Sequence, residues 1–198
     1  MATIKSISGK TSVGRSIDYI TQKEKTEEKL ISTLNCSIES IKEEFQMTKE
    51  LNENTEGRQF YHYIQSFKPG EVDSKTAHEI GQKLAENITN NRFEAIITTH
   101  IDKEHIHNHI IFNSVSFEDG KKFHSKKQDL QRVKEFSNKL CADKGLSTID
   151  FSKKAEQNIT SGEYRLGLNS FKSHIRDMVD IAKKFSNNIN EFKDLLQD

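Results

Sequence analysis

A chain of 198 residues with 30 Lys and Arg against 30 Asp and Glu has no net charge, which argues against a protein that coats nucleic acid through bulk electrostatics. With 33% hydrophobic and 30% charged residues, a single proline and no apolar run of bilayer length, the composition fits one substantial domain and no membrane segment. Met1 to Lys10 lacks the apolar stretch of a secretory signal, so a cytoplasmic location is expected. Cys36 and Cys141 form no CxxC pair and read as small buried side chains, not as a disulfide.

Thr3 to Ser8 alternates apolar and polar residues and predicts a strand closed by Ser8-Gly9. A short helix follows, because Val13, Ile17 and Ile20 fall within roughly 60° of one another on a helical wheel. Tyr19 sits about 100° from Ile20 on that wheel and is expected to be accessible at its edge. A brief strand is predicted near Leu30 to Leu34, a helix over Ile38 to Leu51, and a strand over Arg58 to Phe67 that stops at Pro69-Gly70. Asp73 or Ser74 can cap a helix carrying Ala77, Ile80, Leu84 and Ile88 at helical spacing. Phe93 to Ile101 and Ile106 to Phe117 read as strands joined by a tight polar turn, with a further hairpin beginning at Glu118-Asp119-Gly120. Leu130, Val133, Ser137, Leu140 and Cys141 mark a helix ending near Gly145. This order predicts an α+β domain with a largely antiparallel sheet over residues 1–150. Residues 151–198 are expected to form a helical C-terminal extension, with helical patterning from Gly162 to Asp198.

Charge is unevenly spread. Lys121 to Lys144 holds eight Lys or Arg against three acids, a net of +5, whereas Glu39 to Glu56 has six acids against Lys42 and Lys49. A basic cluster alone is usually a solvated face and gains weight only from its neighbours.

Four of the eight histidines lie within ten residues: His100, His105, His107 and His109. Strand alternation puts His105, His107 and His109 on one face and Ile106, Ile110 and Phe112 on the other. Two imidazoles two apart can share a metal, and His100 can supply a third if the two strands pair across the turn. Three neutral imidazoles with open coordination positions suit a catalytic metal. Asp102 is a candidate to accept a proton or to fix an imidazole tautomer; an Asx-turn is its structural alternative.

These residues carry a resemblance. His100-x-Asp102-x4-His107-x-His109-x3-Asn113 resembles the third motif of MobP-type conjugative relaxases of the HUH endonuclease superfamily. Ser16-Ile-Asp-Tyr19-Ile-Thr-x3-Lys25-Thr26 is similar to the first motif, and the segment from Gly57 through Arg58, His62, Ser66 and Lys68 to Glu71 to the second. The likeness runs from about Met1 to Asp150 with the motifs in family order. It implies a five-stranded antiparallel sheet flanked by helices, a divalent cation (Mn or Mg, with Zn a further option), and strand-specific nicking at an origin of transfer on a plasmid or other mobile element. By the same likeness Tyr19 is the nucleophile and Ser66 lies near the scissile phosphate. The superfamily pattern fits His105-Ile106-His107 by its letters and His107-Asn108-His109 by its distance to Asn113. The second register, with His100, is the one adopted as the ligand set, which leaves His105 as a spare ring, a supporting group or a substitute ligand.

Under this reading Tyr19 forms a 5′-phosphotyrosine and frees a 3′-hydroxyl, with Asp102 and His105 as candidate bases. Tyr61 and Tyr63, on a strand of alternating polarity, are rival nucleophiles, and Tyr164 lies in the tail. Arg58, His62, Ser66, Lys68, Asn113, Lys121, Lys122, His124, Lys126 and Lys127 are the candidate DNA contacts, while for His62 and Ser66 cross-strand hydrogen bonding stands as an equal alternative. Single-stranded and hairpin origin DNA, accessory relaxosome proteins and a coupling protein are the expected partners. The alternatives are a rolling-circle initiator, whose tyrosine generally follows the histidine pair, a zinc hydrolase using activated water, and a DNA-binding module with no need of metal ligands.

Overall fold

The computed structural model describes residues 2–8, 12–151, 171–186 and 188–196. Tyr164 lies outside the described residues. Two compact units are present, Met1–Asp150 and Phe151–Asp198.

The first unit is built on five strands: β1 (Ala2–Ser8), β2 (Ile31–Leu34), β3 (Phe60–Phe67), β4 (Ala95–His100) and β5 (His107–Asn113). They lie in the order β1-β3-β5-β4-β2, and every neighbouring pair is antiparallel. Four helices accompany them: α1 (Val13–Ile20), α2 (Ile41–Leu51), α3 (Ser74–Thr89) and α4 (Lys127–Asp143). The second unit contributes α5 (Phe171–Phe185) and α6 (Ile189–Asp194).

Side-chain alternation splits the core into two layers. Tyr61, Tyr63, Ile97, Ile110 and Phe112 point toward α3 and α4, where Ala77, Ile80, Leu84 and Cys141 cover them. Phe60, Ile96 and Ile111 point the other way, against Ile17 and Ile20 of α1 and Ile41 and Phe45 of α2. The central strands β4 and β5 are buried along their whole length, which explains their runs of consecutive apolar residues. Asp73 caps α3 by accepting from the Thr76 amide at 2.9 Å, and Gly145 follows α4 at φ 71°. Both cysteines are free, Cys141 in the core and Cys36 half-buried.

Several boundaries differ from the sequence expectation, the strands expected over Arg58–Phe67, Phe93–Ile101 and Ile106–Phe117 being shorter at Phe60–Phe67, Ala95–His100 and His107–Asn113. The helix expected from Ile38 starts at Ile41, because the Glu44 carboxylate accepts from the Ser37 amide at 3.0 Å and the Ser40 hydroxyl at 2.6 Å and so holds residues 37–40 as a turn. The hairpin expected after Glu118 is reduced to one bridge, Val115 to Lys122. Asn113 ends β5 by turning its amide into the core, donating to the Phe45 carbonyl at 3.0 Å and to Glu94 at 3.1 Å. Among the described residues no helix is long and apolar enough to cross a membrane.

Candidate active site

The β4–β5 register sets the site. His100, the last residue of β4, lies opposite His107, the first of β5, and Thr98 lies opposite His109. Alternation turns His100, His107 and His109 to the α1 side of the sheet, while Asn108 between them faces α3. The three rings cluster with centroids 4.3 Å apart for His100 and His109 and 5.1 Å apart for the other two pairs. One ring nitrogen of each lies within 4.8 Å of the others, and all three residues are buried.

Each ring has one nitrogen tied off. His100 Nε2 donates to the Ile20 carbonyl at 2.9 Å, His107 Nδ1 donates to the His105 carbonyl at 3.3 Å, and His109 Nδ1 pairs with His62 Nε2 at 2.8 Å. His109 Nε2 is buried with no hydrogen-bond partner among the described residues. Burial, reinforced by the neighbouring rings, drives the His109 pKa down to about 2. Burial likewise pushes His107 and His62 down to about 4 and lowers His100. All are therefore neutral at pH 7, the form in which imidazole binds a cation. A shared divalent ion fits this donor set: it would satisfy the orphaned nitrogen of His109, and three ligands leave coordination positions open.

Tyr19 completes the arrangement. It is the penultimate residue of α1, 47% exposed, and its ring centroid lies 6.2 Å from those of both His100 and His109. The bond from His100 to the Ile20 carbonyl ties the end of α1 directly to the histidine cluster. The segment after the helix is pinned to the end of β4, since Thr26 Oγ1 donates to the Thr99 carbonyl at 2.8 Å and the Ile101 amide donates to the Lys25 carbonyl at 2.8 Å. This places Lys25 Nζ 3.3 Å above the Tyr19 ring. Tyr19, His62, Arg15 and Ser16 line a cavity of about 250 Å³. A larger cleft of about 490 Å³ lies across the sheet around Ser32 and His78, away from the histidine cluster.

The remaining sequence candidates scatter. Tyr61 and Tyr63 lie on the opposite face of the sheet, where their hydroxyls meet the Phe123 carbonyl at 2.7 Å and Ser125 at 3.4 Å in the segment before α4, so neither reaches the histidines. Asp102 is exposed and His105 half-buried on the β4–β5 loop, and the His105 ring lies 5.2 Å from that of His107. His105 precedes β5 and is not part of the three-ring cluster.

Two of the candidate DNA contacts are buried. Asn113 is fully buried, its amide spent on Phe45, Glu94 and the Ser114 amide. His62 is 8% exposed, makes a cross-strand hydrogen bond to His109 and also lines the cavity beside Tyr19. Ser66 stays on the histidine face, half-buried and directly opposite His107, and exposed Lys68 follows at the same end of β3.

The basic segment lies elsewhere. Lys121 pairs with Asp119 at 3.2 Å and Lys122 donates to the Glu56 carbonyl, beyond the far end of β5. Exposed His124 and Lys126 continue this stretch, Lys127 opens α4, and Arg58 stacks over Tyr61 at 4.6 Å. Lys25, quoted in the first motif without a role, and the Ile20 carbonyl, which no sequence signal marked, reach the site through chain packing. Sequence reading missed Lys5, exposed on β1 in the row Lys5, Ile64, His109, Thr98; strand alternation was the available signal.

The family model for relaxases, described as MobA/VirD2-like, nuclease domain, matches residues 19–146. The chain belongs to this relaxase family. Protein Rlx of Staphylococcus aureus is 38% identical over 203 residues, covering 100% of this chain and 60% of its own length. The group II intron-interrupted relaxase LtrB of Lactococcus lactis is 31% identical over 147 residues, 67% of this chain and 26% of LtrB. This relaxase chain thus spans about 60% of the length of Rlx and about a quarter of LtrB. Its fold resembles the MobM relaxase domain (MOBV) solved with Mn and plasmid pMV158 oriT DNA, with a TM-score of 0.56 and 16% identity over 86% of this chain and 98% of that one. A second MobM structure with DNA and Mn gives 0.53 and 14% over 83% and 96%.

Proposed function

We propose that residues 1–150 form a metal-dependent nuclease domain that nicks and rejoins single-stranded DNA at an origin of transfer. The observation that carries this reading is the Tyr19 ring standing 6.2 Å from two of three buried, neutral histidines. His100, His107 and His109 would hold a divalent cation, with manganese favoured over magnesium by imidazole softness. When bound, that ion would neutralise charge on the non-bridging oxygens of the scissile phosphate.

The phenolic oxygen of Tyr19 attacks phosphorus in line, the bond to the 3′ oxygen breaks, and the phenolic proton passes to a base. Asp102 and His105, on the loop beside the cluster, are the candidates to take it and to return a proton to the leaving oxygen. One phosphodiester replaces another, so the freed 3′-hydroxyl can reverse the reaction. Lys25, above the Tyr19 ring, adds positive charge where the phosphate must sit. The sheet face at β1 and β3, with Lys5, Ser66 and Lys68, carries the strand leading to the site, and Arg58, Lys121, Lys122, Lys126 and Lys127 hold more distant duplex or hairpin DNA. Tyr19 precedes the histidines in the chain, which favours this reading over a rolling-circle initiator.

In the cell this reaction belongs in the bacterial cytoplasm, with accessory relaxosome proteins and a coupling protein delivering the DNA. The test is a denaturing gel of the protein with candidate origin oligonucleotides and Mn²⁺. A slow-migrating protein-DNA adduct is expected, and a free 5′-phosphate without an adduct would instead indicate hydrolysis by activated water.

A further inference from the structure

His62 is the one buried histidine of the α1 face outside the three-ring cluster, and its position is specific. It stands on β3 opposite Ile111, next to the His109 strand position, and its Nε2 lies 2.8 Å from His109 Nδ1. Two nitrogens at that separation must share one proton, so one ring donates and the other accepts. The choice is decided by the far side of His109. Its Nε2 is buried, faces no acceptor among the described residues and is the one nitrogen this ring has left for a cation. A proton there would be buried without a partner, whereas a lone pair there is a ligand.

We infer that His62 is a positioning residue for the metal centre: its Nε2 lone pair accepts the Nδ1 proton of His109 and fixes His109 in the tautomer that presents Nε2 to a cation. This rests on the metal-site reading given under Proposed function. His62 must then carry its own proton on Nδ1.

The inference has a second consequence. The acceptors that orient the three rings are the Ile20 carbonyl, the His105 carbonyl and the His62 imidazole, all uncharged. No carboxylate is hydrogen-bonded to any of the three rings among the described residues. A bound divalent ion would therefore keep its charge undiminished for the phosphate, while metal affinity would depend strongly on the three neutral acceptors.

The test compares Mn²⁺ affinity, by calorimetry, of the wild-type protein with His62→Phe and His62→Gln. Phenylalanine fills the space without an acceptor, and glutamine places an oxygen near the lost Nε2. His62→Phe is expected to weaken Mn²⁺ binding about 10- to 100-fold, with His62→Gln recovering most of the loss. Nicking by His62→Phe should return when Mn²⁺ is raised to saturation. Equal losses in both variants with native thermal melting, or no loss in His62→Phe, would overturn the inference.

A measurement on the wild-type protein does not depend on either variant folding. Imidazole ¹⁵N spectra without metal should show His109 with its proton on Nδ1, and an Nε2-protonated His109 would overturn the assignment. Absence of Mn²⁺ binding by the wild-type protein would sink the metal-site reading and this inference together, whereas wild-type binding with an unchanged His62→Phe affinity would sink this inference alone.

Discussion

The ring of Tyr19 meets that of His109 edge-on, with 85° between their planes and 6.2 Å between their centroids. A residue at the exposed end of a helix is thereby placed over a buried strand position ninety residues away in sequence. The hydroxyl is not needed to build this contact, because the ring itself makes it. Tyr19→Phe should therefore abolish the covalent DNA adduct while changing Mn²⁺ and DNA affinity by no more than a few-fold. Adduct formation by this variant at the wild-type level would move the nucleophile elsewhere.

His107 has one nitrogen on the His105 carbonyl and the other available to a cation. In the wild-type protein, Mn²⁺ at 100 times its dissociation constant should stabilise the fold by about 2.7 kcal/mol through mass action. His107→Ala should remove most of that stabilisation. Melting curves with and without Mn²⁺ measure it, and an undiminished metal-induced shift would remove His107 from the ligand set.

Acid should destabilise the metal-free protein. Burial holds His62 and His107 near 4 in the folded state against an ordinary value of 6.5, and it lowers His78, which is lodged between Ser32 and Thr99, in the same direction. These folded pKa values lie below the unfolded ones, so below pH 6.5 the unfolded chain binds more protons than the native one. Their contribution is complete above pH 6.5 and is lost progressively as pH falls toward 4. The melting midpoint in EDTA should drop across that interval, and His78→Gln should have a shallower slope than wild type. Parallel slopes would show that His78 does not contribute.

Helix α3 lies so close to β5 at Gly81 that an added Cβ would stand 2.6 Å from the Asn108 amide nitrogen. That amide already donates to the Gln65 side chain at 2.9 Å and to the Ala77 carbonyl at 2.7 Å, so it cannot retreat without breaking buried bonds. Gly81→Ala should cost about 1 to 3 kcal/mol despite the better helix propensity of alanine. Chemical denaturation measures the loss, and a neutral or stabilising result would contradict the close approach.

Lys5 projects from β1 on the histidine face and is exposed. If single-stranded DNA crosses that face, Lys5→Ala should weaken binding and lower the slope of log affinity against log salt by about 0.7. Fluorescence anisotropy over a salt series would read this directly, and an unchanged slope would take Lys5 off the DNA path.

The fold was legible where a local rule governs. Alternation in Thr3 to Ser8, the stripe of Val13, Ile17 and Ile20, the Asp73 cap and the glycine after α4 each depend on near neighbours in the chain, and each stands where those neighbours dictated. The misplacements came where a side-chain hydrogen bond overrode apolar periodicity: Glu44 gathered residues 37–40 into a turn, and the distant Glu94 and Phe45 carbonyl drew Asn113 inward.

The sequence by itself determined the chemistry available to this relaxase domain: a dense set of imidazoles at strand spacing, an early tyrosine beside a buried helical stripe, and an alternation that turns His107 and His109 the same way. Tertiary structure decided which of these groups lie together. Strand pairing brought His100 to His107, leaving His105 outside; helix docking through the Ile20 carbonyl delivered Tyr19, and β3 placed His62 behind His109. The physical reason is that periodicity fixes the direction of a side chain, whereas its partner is fixed by the register and packing of segments distant in the chain.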